Sequence, residues 1–249
     1  MRGARALGVL LGIAVGAGPA LAEPPPRKLL VVTVTKGYRH ESIPAAERVI
    51  ERLGRESGLY AVEFARTDEE LRARTAPPAL EAYDGVFLAN TSGAIPLADP
   101  AALYAWVGRG HALLGLHAAS NTLQDDRAFV ALLGGEFDHH REQVRVQPVV
   151  EDPGHPATSH LGAGFSVFDE IYVVKSLARA RVRVLLSLDR HPNSGEAGDF
   201  PLAWTREEGR GRVFYTALGH RDDVIEADWY GKHLLGGVRW ALGSGEPAR

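Results

Sequence analysis

Three histidines fall at the ends of predicted buried strands, where a chain can present side chains to a shared cleft. His40 follows the apolar run LLVVTVT at 29–35, His117 ends the run HALLGLH, and His220 ends the last strand-like segment. Imidazoles that converge in a cleft suit either a metal site or proton transfer near neutral pH. The three residues are therefore candidate metal ligands, and His117 and His220 are also candidate catalytic acid–base groups.

A divalent metal, with zinc favoured, would match three neutral imidazole nitrogens and an open position for water. Glu41 or Asp222 is a candidate fourth ligand or outer carboxylate, and Asp222 is also a catalytic candidate that would orient His220. No HxH or HExxH spacing occurs in the sequence, so the hypothesis depends on where the strands end. No nucleotide cofactor is expected.

Further polar and aromatic residues near these strand ends are candidate substrate-binding groups. In FDEIYVV, alternation along an extended segment places Glu170 and Tyr172 on one side, opposite Asp169. A loop with His139 and His140 can close over the cleft, although a solvated loop is the simpler interpretation. Aromatic candidates are sugar-stacking platforms unless the core buries them. The candidates are Tyr38, Asn90, Ser92, Ser120, His139, Glu170, Tyr172 and Trp204.

The segment GLHAAS around His117 has the small-x-X-x-small pattern of a nucleophile elbow, a sharp turn from strand to helix that exposes one side chain. The central residue of such an elbow is normally Ser or Cys, and this chain has no cysteine. A thiolate nucleophile, a disulfide and cysteine-ligated zinc are therefore excluded. The turn would instead present a metal ligand or a proton carrier.

Alternating strand and helix patterns must position these residues. Strands are predicted at 29–35, 60–65, 84–90 and 111–117, with helices between them, which indicates an α/β fold with a doubly wound, mostly parallel sheet. Such sheets bind ligands at the carboxyl ends of their strands. Later strand patterns follow without intervening helices, before a closing helix. They lie at 144–151, 171–177, 181–189 and 201–220, and the helix at 228–242.

The first 22 residues have the pattern of a secretory signal peptide. Arg2 and Arg5 precede a short apolar stretch, which ends at the small-residue site Ala20-Leu21-Ala22. A retained membrane anchor is the alternative. We expect a linker at 23–27, one domain at 28–243 and a tail at 244–249, with the mature chain exported to the periplasm or secreted and without a membrane span.

Composition limits the partners of the chain. The formal net charge is −3, from 28 Lys and Arg against 31 Asp and Glu, and no basic run is present. This balance argues against a nucleic-acid partner. The expected partner is a small-molecule substrate.

Several segments together resemble the ThuA-like (trehalose utilisation) family. They are KGYRHESI, GLHAAS, an HP pair, FDEIY and PLAWTREEGRGRVFYTALGH, and they occur in that order across 28–243. The resemblance implies the flavodoxin-like fold of class I glutamine amidotransferases, as one domain with extra strands in its C-terminal half. The family's elbow position corresponds to His117, and its rear His-x-Glu pair to His220 and Asp222. Without cysteine, glutaminase chemistry through a thioester is excluded.

The resemblance also implies a role in sugar catabolism, beside sugar oxidoreductases that make 3-keto sugars. We therefore expect an exported enzyme that hydrolyses, isomerises or eliminates a keto-sugar or disaccharide by metal-assisted or histidine acid–base chemistry. A non-catalytic carbohydrate-binding or scaffold protein is the alternative. A third hypothesis is a subunit that acts only with a sugar oxidoreductase partner.

Overall fold

A computed structural model describes residues 26–243. The predicted signal peptide at 1–22, most of the linker and the tail at 244–249 lie outside the described residues. The strands are β1 Arg27–Val32, β2 Tyr60–Ala65, β3 Gly85–Ala89, β4 Ala112–Leu116, β5 Glu136–His139, β6 Val144–Val146, β7 Val149–Val150, β8 Val167–Asp169, β9 Val173–Lys175, β10 Arg183–Arg190, β11 Ala197–Glu208 and β12 Gly211–Thr216. The helices are α1 Ile43–Ser57, α2 Asp68–Thr75, α3 Pro77–Leu80, α4 Pro100–Gly108, α5 Arg127–Leu133, α6 Asp222–Ile225 and α7 Asp228–Ala241.

Eight strands form one mixed sheet in the order β2-β1-β3-β4-β12-β11-β10-β7. The first five are parallel, and the last three continue the sheet as antiparallel neighbours. The parallel half has the flavodoxin-like order, with β12 in the fifth position. The expected α/β fold with additional strands from the C-terminal half is confirmed. Two small sheets, β5 with β9 and β6 with β8, also come from that half.

Hydrophobic cores cover both faces of the sheet because successive strand residues point in opposite directions. Leu29 and Val31 of β1 pack with helices α1, α6 and α7, whereas Leu30 and Val32 pack with helices α2 to α5. A central parallel strand must therefore be apolar at every position, which explains the continuous run at the start of the domain. The helices leave the carboxyl edge of the sheet open to the loops that follow β1, β3, β4 and β12.

Local signals in the sequence fix several boundaries. Thr67 and Glu70 form a capping box at the start of α2, in which each side chain accepts a hydrogen bond from the other residue's backbone N–H. After β4, residues 117–121 form a 3-10 turn, and α5 begins only at Arg127. No helix within 26–243 is both long and apolar enough to cross a bilayer.

His233 of α7 generates a prediction about stability and pH. The side chain is wholly buried, its Nδ1 donates to the Ala157 carbonyl at 2.8 Å, and burial lowers the pKa of His233 to about 4. An unfolded chain protonates this imidazole near pH 6.5. As the pH falls from 6.5 towards 4, the unfolded state therefore gains a proton that the folded state does not, and stability is lost.

The variant His233→Asn keeps an amide donor near the Nδ1 position but cannot titrate. We expect the free energy of unfolding of the wild type to fall more steeply than that of the variant near pH 5, by about 1 kcal/mol per pH unit. Urea unfolding at pH 7, 6 and 5 measures this difference, with half-buried His139→Asn as a control that follows the wild type. Parallel pH dependences for His233→Asn and the wild type would contradict the prediction.

Candidate metal centre

Four side chains meet above the carboxyl edge of the sheet: His40, His117, Glu170 and His220. One ligand atom from each lies within 4.8 Å of the others. The ring centroid of His40 lies 4.9 Å from that of His117 and 5.2 Å from that of His220, and the last two are 5.3 Å apart. The structure therefore brings together the three histidines predicted from strand ends and adds a carboxylate to them.

His117 occupies a sharp turn immediately after β4. Its backbone has φ of +44°, in the left-handed region that a side-chain-bearing residue rarely adopts. A Cβ on Gly115 would lie 2.9 Å from the Tyr215 ring and 3.2 Å from the Ala119 Cβ, so the turn requires small residues on both sides. The geometry is that of an elbow with an imidazole at its tip.

Hydrogen bonds fix the His117 ring and its tautomer. Nδ1 lies 2.7 Å from the Ala217 carbonyl, which can only accept, so Nδ1 carries the proton in the neutral ring and Nε2 keeps its lone pair. The Tyr215 hydroxyl, buried behind the turn, donates to the His117 carbonyl at 2.7 Å. Ser120 lies 2.8 Å from the same hydroxyl and is itself buried, so it supports the turn.

Asn90 links three strand ends below the cluster. It also has positive φ, of +54°, and is wholly buried. Its amide donates to the Ser42 hydroxyl at 3.2 Å and to the Gly219 carbonyl at 3.4 Å, and its carbonyl accepts from the Ala118 N–H at 3.3 Å. The side chain that was predicted to bind substrate is thus used to hold the loops that carry His40, His117 and His220.

Glu170 is the carboxylate at the centre of the cluster and is 8% exposed. Its Oε2 lies 3.4 Å from His117 Nε2 and 3.2 Å from His220 Nδ1, and its Oε1 lies 3.1 Å from His140 Nδ1. The neighbouring Asp169 turns away and accepts from the Gly219 N–H at 2.7 Å. One short segment therefore supplies both a central carboxylate and an anchor for the loop that precedes His220.

Burial and mutual charge set the electrostatics of the cluster. Burial and the neighbouring imidazoles His117 and His220 lower the pKa of His40 to about 3. Burial raises the pKa of Glu170, but the two imidazoles in contact with it outweigh this effect and lower it overall. Contact with Glu170 raises the pKa of His220. At neutral pH the site thus combines an ionised carboxylate with a neutral His40.

The residues fit a divalent metal. His40 Nδ1 is buried and has no hydrogen-bond partner among the described residues, whereas the buried His117 Nε2 and His220 Nδ1 face the Glu170 carboxylate at 3.4 and 3.2 Å. Buried polar atoms of this kind normally find a partner. Imidazole nitrogens with one carboxylate oxygen form a donor set that zinc accepts. These four side chains could therefore hold a metal ion.

The other predicted site residues differ in placement. Tyr38 is 64% exposed beside His40, and Tyr172 lies against His117 with ring centroids 4.0 Å apart. Ser92 is buried and donates to the Tyr38 carbonyl at 2.8 Å. Trp204 is wholly buried and donates to the Leu133 carbonyl, so the predicted sugar-stacking role for Trp204 is wrong and core burial applies.

Two further placements differ from expectation. His139 points to Asp138 and His191, whereas its neighbour His140 contacts Glu170. The structure places Glu170, rather than Asp222, against His220. Glu41 and Asp222 are likewise outside the group of four candidate ligands.

The sequence predicts Glu170 as a substrate-binding group and favours a solvated loop for His140. The alternation in FDEIY was the available signal for Glu170, since it separates this residue from Asp169. His140 follows β5, where the pairing with β9 shifts register between Phe137 and His139. A bulge of this kind re-aims the side chains beyond it, and no spacing in the sequence indicates it.

Comparison with known proteins agrees with the fold. A family model, ThuA, described as trehalose utilisation, matches residues 28–241. The chain belongs to the ThuA family. Membership of this family fits a sugar-related role. None of the curated proteins compared with the chain matches it significantly.

Solved structures share the fold. A ThuA-like protein from Bacteroides uniformis is 23% identical, with a TM-score of 0.70 over 91% of this chain and 95% of its own. One from Parabacteroides merdae is 18% identical, with a TM-score of 0.73 over 90% and 92%. A GH42 β-galactosidase from G. stearothermophilus is 12% identical, with a TM-score of 0.56 over 88% of this chain and 30% of its own. At these identities the likeness concerns the fold of the ThuA domain.

The contact of His140 with Glu170 gives a prediction about metal affinity. Groups that orient a ligand carboxylate typically contribute 10- to 100-fold in affinity, so His140→Ala should weaken zinc binding about 10- to 100-fold. His140→Asn places an amide nitrogen near the Nδ1 position and should restore most of the loss. Competition with a chromophoric chelator measures the affinity. His139→Ala is the matched control and should bind zinc like the wild type; equal affinities for both alanine variants would contradict the prediction.

Proposed function

We propose that this ThuA-family protein is a metal-dependent enzyme that acts on a keto-sugar or a glycoside. The observation that carries the proposal is that buried nitrogens of His40, His117 and His220 and the Glu170 carboxylate lie within 4.8 Å of one another, with His40 Nδ1 left without a hydrogen-bond partner among the described residues. A purely structural cluster would satisfy a buried nitrogen such as His40 Nδ1 with a hydrogen bond. Family membership supports the sugar as the class of substrate.

The four candidate ligands determine which chemistry the centre can support. His40, His117, His220 and Glu170 would hold the metal, whose chemistry when bound is to polarise a sugar carbonyl or to lower the pKa of a water molecule. His117 cannot rotate, because Nδ1 is bonded to the Ala217 carbonyl. Asn90 and Asp169 hold the loops of the other ligands from beneath. The chain therefore provides a fixed, preorganised set of donors.

Two side chains at the edge of the cluster can handle protons. Burial raises the pKa of Tyr172, so its hydroxyl stays protonated, and at 3.5 Å from His40 Nε2 it can donate a hydrogen bond to that candidate ligand. His140 Nδ1 faces Glu170 at 3.1 Å and the Arg141 carbonyl at 3.1 Å, so it carries the proton in the neutral ring. The Nε2 lone pair of His140 is then left to take a proton from a sugar C–H or O–H. A C–H next to a keto group is acidic enough for such a base.

The same residues argue against two other reaction types. Thioester formation needs a cysteine at the elbow, and His117 stands there in a chain without cysteine. Hydrolysis by two carboxylates needs a matched pair across the scissile bond, whereas Glu170 is surrounded by imidazoles and Asp169 is turned towards Gly219. Isomerisation, elimination or metal-assisted hydrolysis remain as the reaction types. Export, predicted from residues 1–22, would place this chemistry in the periplasm.

The direct test is product analysis by NMR after incubating zinc-loaded protein with trehalose, cellobiose and their 3-keto derivatives. We expect conversion of at least one compound by the wild type. His117→Ala should lower the rate on the order of 10²- to 10⁴-fold while thermal unfolding shows an intact fold. His160→Gln is the control, since it lies outside the cluster and keeps a donor for the Trp229 carbonyl.

Wild-type-like turnover by His117→Ala would contradict the role of the cluster. Binding of these sugars without conversion, both alone and with an added sugar oxidoreductase, would contradict the enzymatic proposal and favour a carbohydrate-binding protein. Conversion only in the presence of the oxidoreductase would identify the partner-dependent subunit instead.

A further inference from the structure

A separate cavity opens beside the candidate metal centre. Its volume is about 380 Å³, and His220 forms part of its wall. Pockets for small molecules occupy about 300–1,000 Å³, so this cavity is large enough for a bound organic molecule. Because His220 belongs to both, a molecule in the cavity lies against the metal centre. The other lining residues are Tyr38, Glu41, Ser42, Gln143, Arg221, Asp222 and Asp223.

One side of the cavity is a rigid, neutralised wall. Arg221 donates through Nε and Nη2 to both carboxylate oxygens of Asp223, at 2.8 and 3.0 Å. Its Nη1 donates to Gln143 Oε1 at 2.7 Å, and the guanidinium lies 5.1 Å from the centre of the Phe168 ring. Because these contacts use the guanidinium nitrogens, Arg221 stabilises the wall of the cavity and is not free to bind an anion. The Gln143 amide, oriented by the same contact, keeps its NH₂ group for a ligand.

Two other carboxylates that line the cavity have no comparable contacts with the protein side chains that the structure describes. Within residues 26–243, neither Glu41 nor Asp222 has a side-chain hydrogen bond or an ion pair. With Asp223, carboxylates outnumber the single guanidinium by three to one, so the cavity repels phosphate and carboxylate groups. Ionised carboxylates accept hydrogen bonds. Hydroxyl groups can donate these bonds and carry no charge themselves. The lining therefore suits a neutral ligand that carries several hydroxyl groups.

An exposed aromatic ring stands at the rim. Tyr38 is 64% exposed although its backbone is held by the Ser92 hydroxyl, and its ring meets the His40 ring edge-on at 4.9 Å. A Cβ on Gly93 would lie 2.7 Å from the Gly37 nitrogen, so this loop is packed tightly against its neighbour. The ring is thus positioned by a fixed backbone while its own surface stays available. An aromatic surface beside polar groups is the combination that small-molecule sites use to orient a partly apolar ligand.

We propose that this cavity binds a second, neutral sugar ring, so that the substrate is a glycoside with one ring at the metal centre and the next ring between Tyr38 and Asp222. The inference rests on the proposed function, because it takes the metal centre as the place where the first ring reacts. Hydroxyls of the second ring donate to Glu41 and Asp222 and accept from the Gln143 amide. Its C–H surface packs on Tyr38.

Calorimetric titration of zinc-loaded protein with trehalose, cellobiose and glucose tests the proposal. We expect at least one disaccharide to bind about tenfold or more tightly than glucose, because hydrogen bonds to charged groups contribute that much. Tyr38→Ala and Asp222→Asn should each reduce the disaccharide affinity towards that of glucose and leave glucose binding unchanged. Asp228→Asn, an exposed carboxylate on α7, is the matched control and should bind like the wild type.

The outcomes separate this inference from the function on which it depends. Disaccharide binding that is unchanged in both Tyr38→Ala and Asp222→Asn would overturn the second-ring site and leave the metal-dependent sugar enzyme standing. Equal affinity of the wild type for glucose and both disaccharides would do the same. Failure of the zinc-loaded wild type to bind or convert any of the three sugars or the 3-keto derivatives of the two disaccharides would overturn the proposed function itself.

Discussion

The arrangement above the sheet depends on one constraint: three imidazoles and a carboxylate share a largely buried space. Within it, His40 Nδ1 has no hydrogen-bond partner among the described residues, and His117 and His220 face the same oxygen of Glu170. Desolvation penalises charge on the imidazoles, and His40 is held neutral by burial and by its neighbours. Glu170 stays ionised because His117 and His220 face it. Ligand atoms of the four side chains lie within 4.8 Å of one another, so the proposed divalent cation would be a shared partner for them.

The fold creates this constraint through the ends of its strands. Parallel strands deliver their loops to a single edge, and here β1, β4 and β12 each contribute one imidazole shortly after they end. Backbone geometry with positive φ occurs at Asn90, directly after β3, and at His117, directly after β4. Asn90 then bonds across the strand ends, so the scaffold itself holds the loops of the candidate ligands. The elbow geometry that other proteins use to expose a nucleophile carries a histidine here, which the proposed function uses as a nitrogen ligand.

The sequence was sufficient for those parts of the fold and site that follow from strand periodicity. His40, His117 and His220 could be assigned to one edge because each comes after a buried apolar run. Glu170 was harder to assign, since β8 is only three residues long and belongs to a small separate sheet. His140 depended on a register shift in β5 that no pattern predicts. Trp204 is buried because Gly134 and Gly135 pack against its indole, a contact between segments about 70 residues apart.

X-ray absorption at the zinc K-edge tests the central claim most directly, because it reports the atoms around the metal without requiring a substrate. We expect one zinc retained per chain after desalting, in a shell of nitrogen and oxygen atoms at about 2.0–2.2 Å, with outer-shell scattering from three imidazoles. In Glu170→Gln, the imidazole scattering should persist while the zinc is held more weakly. Zinc that is lost on desalting, or retained with fewer than two imidazoles, would contradict the account.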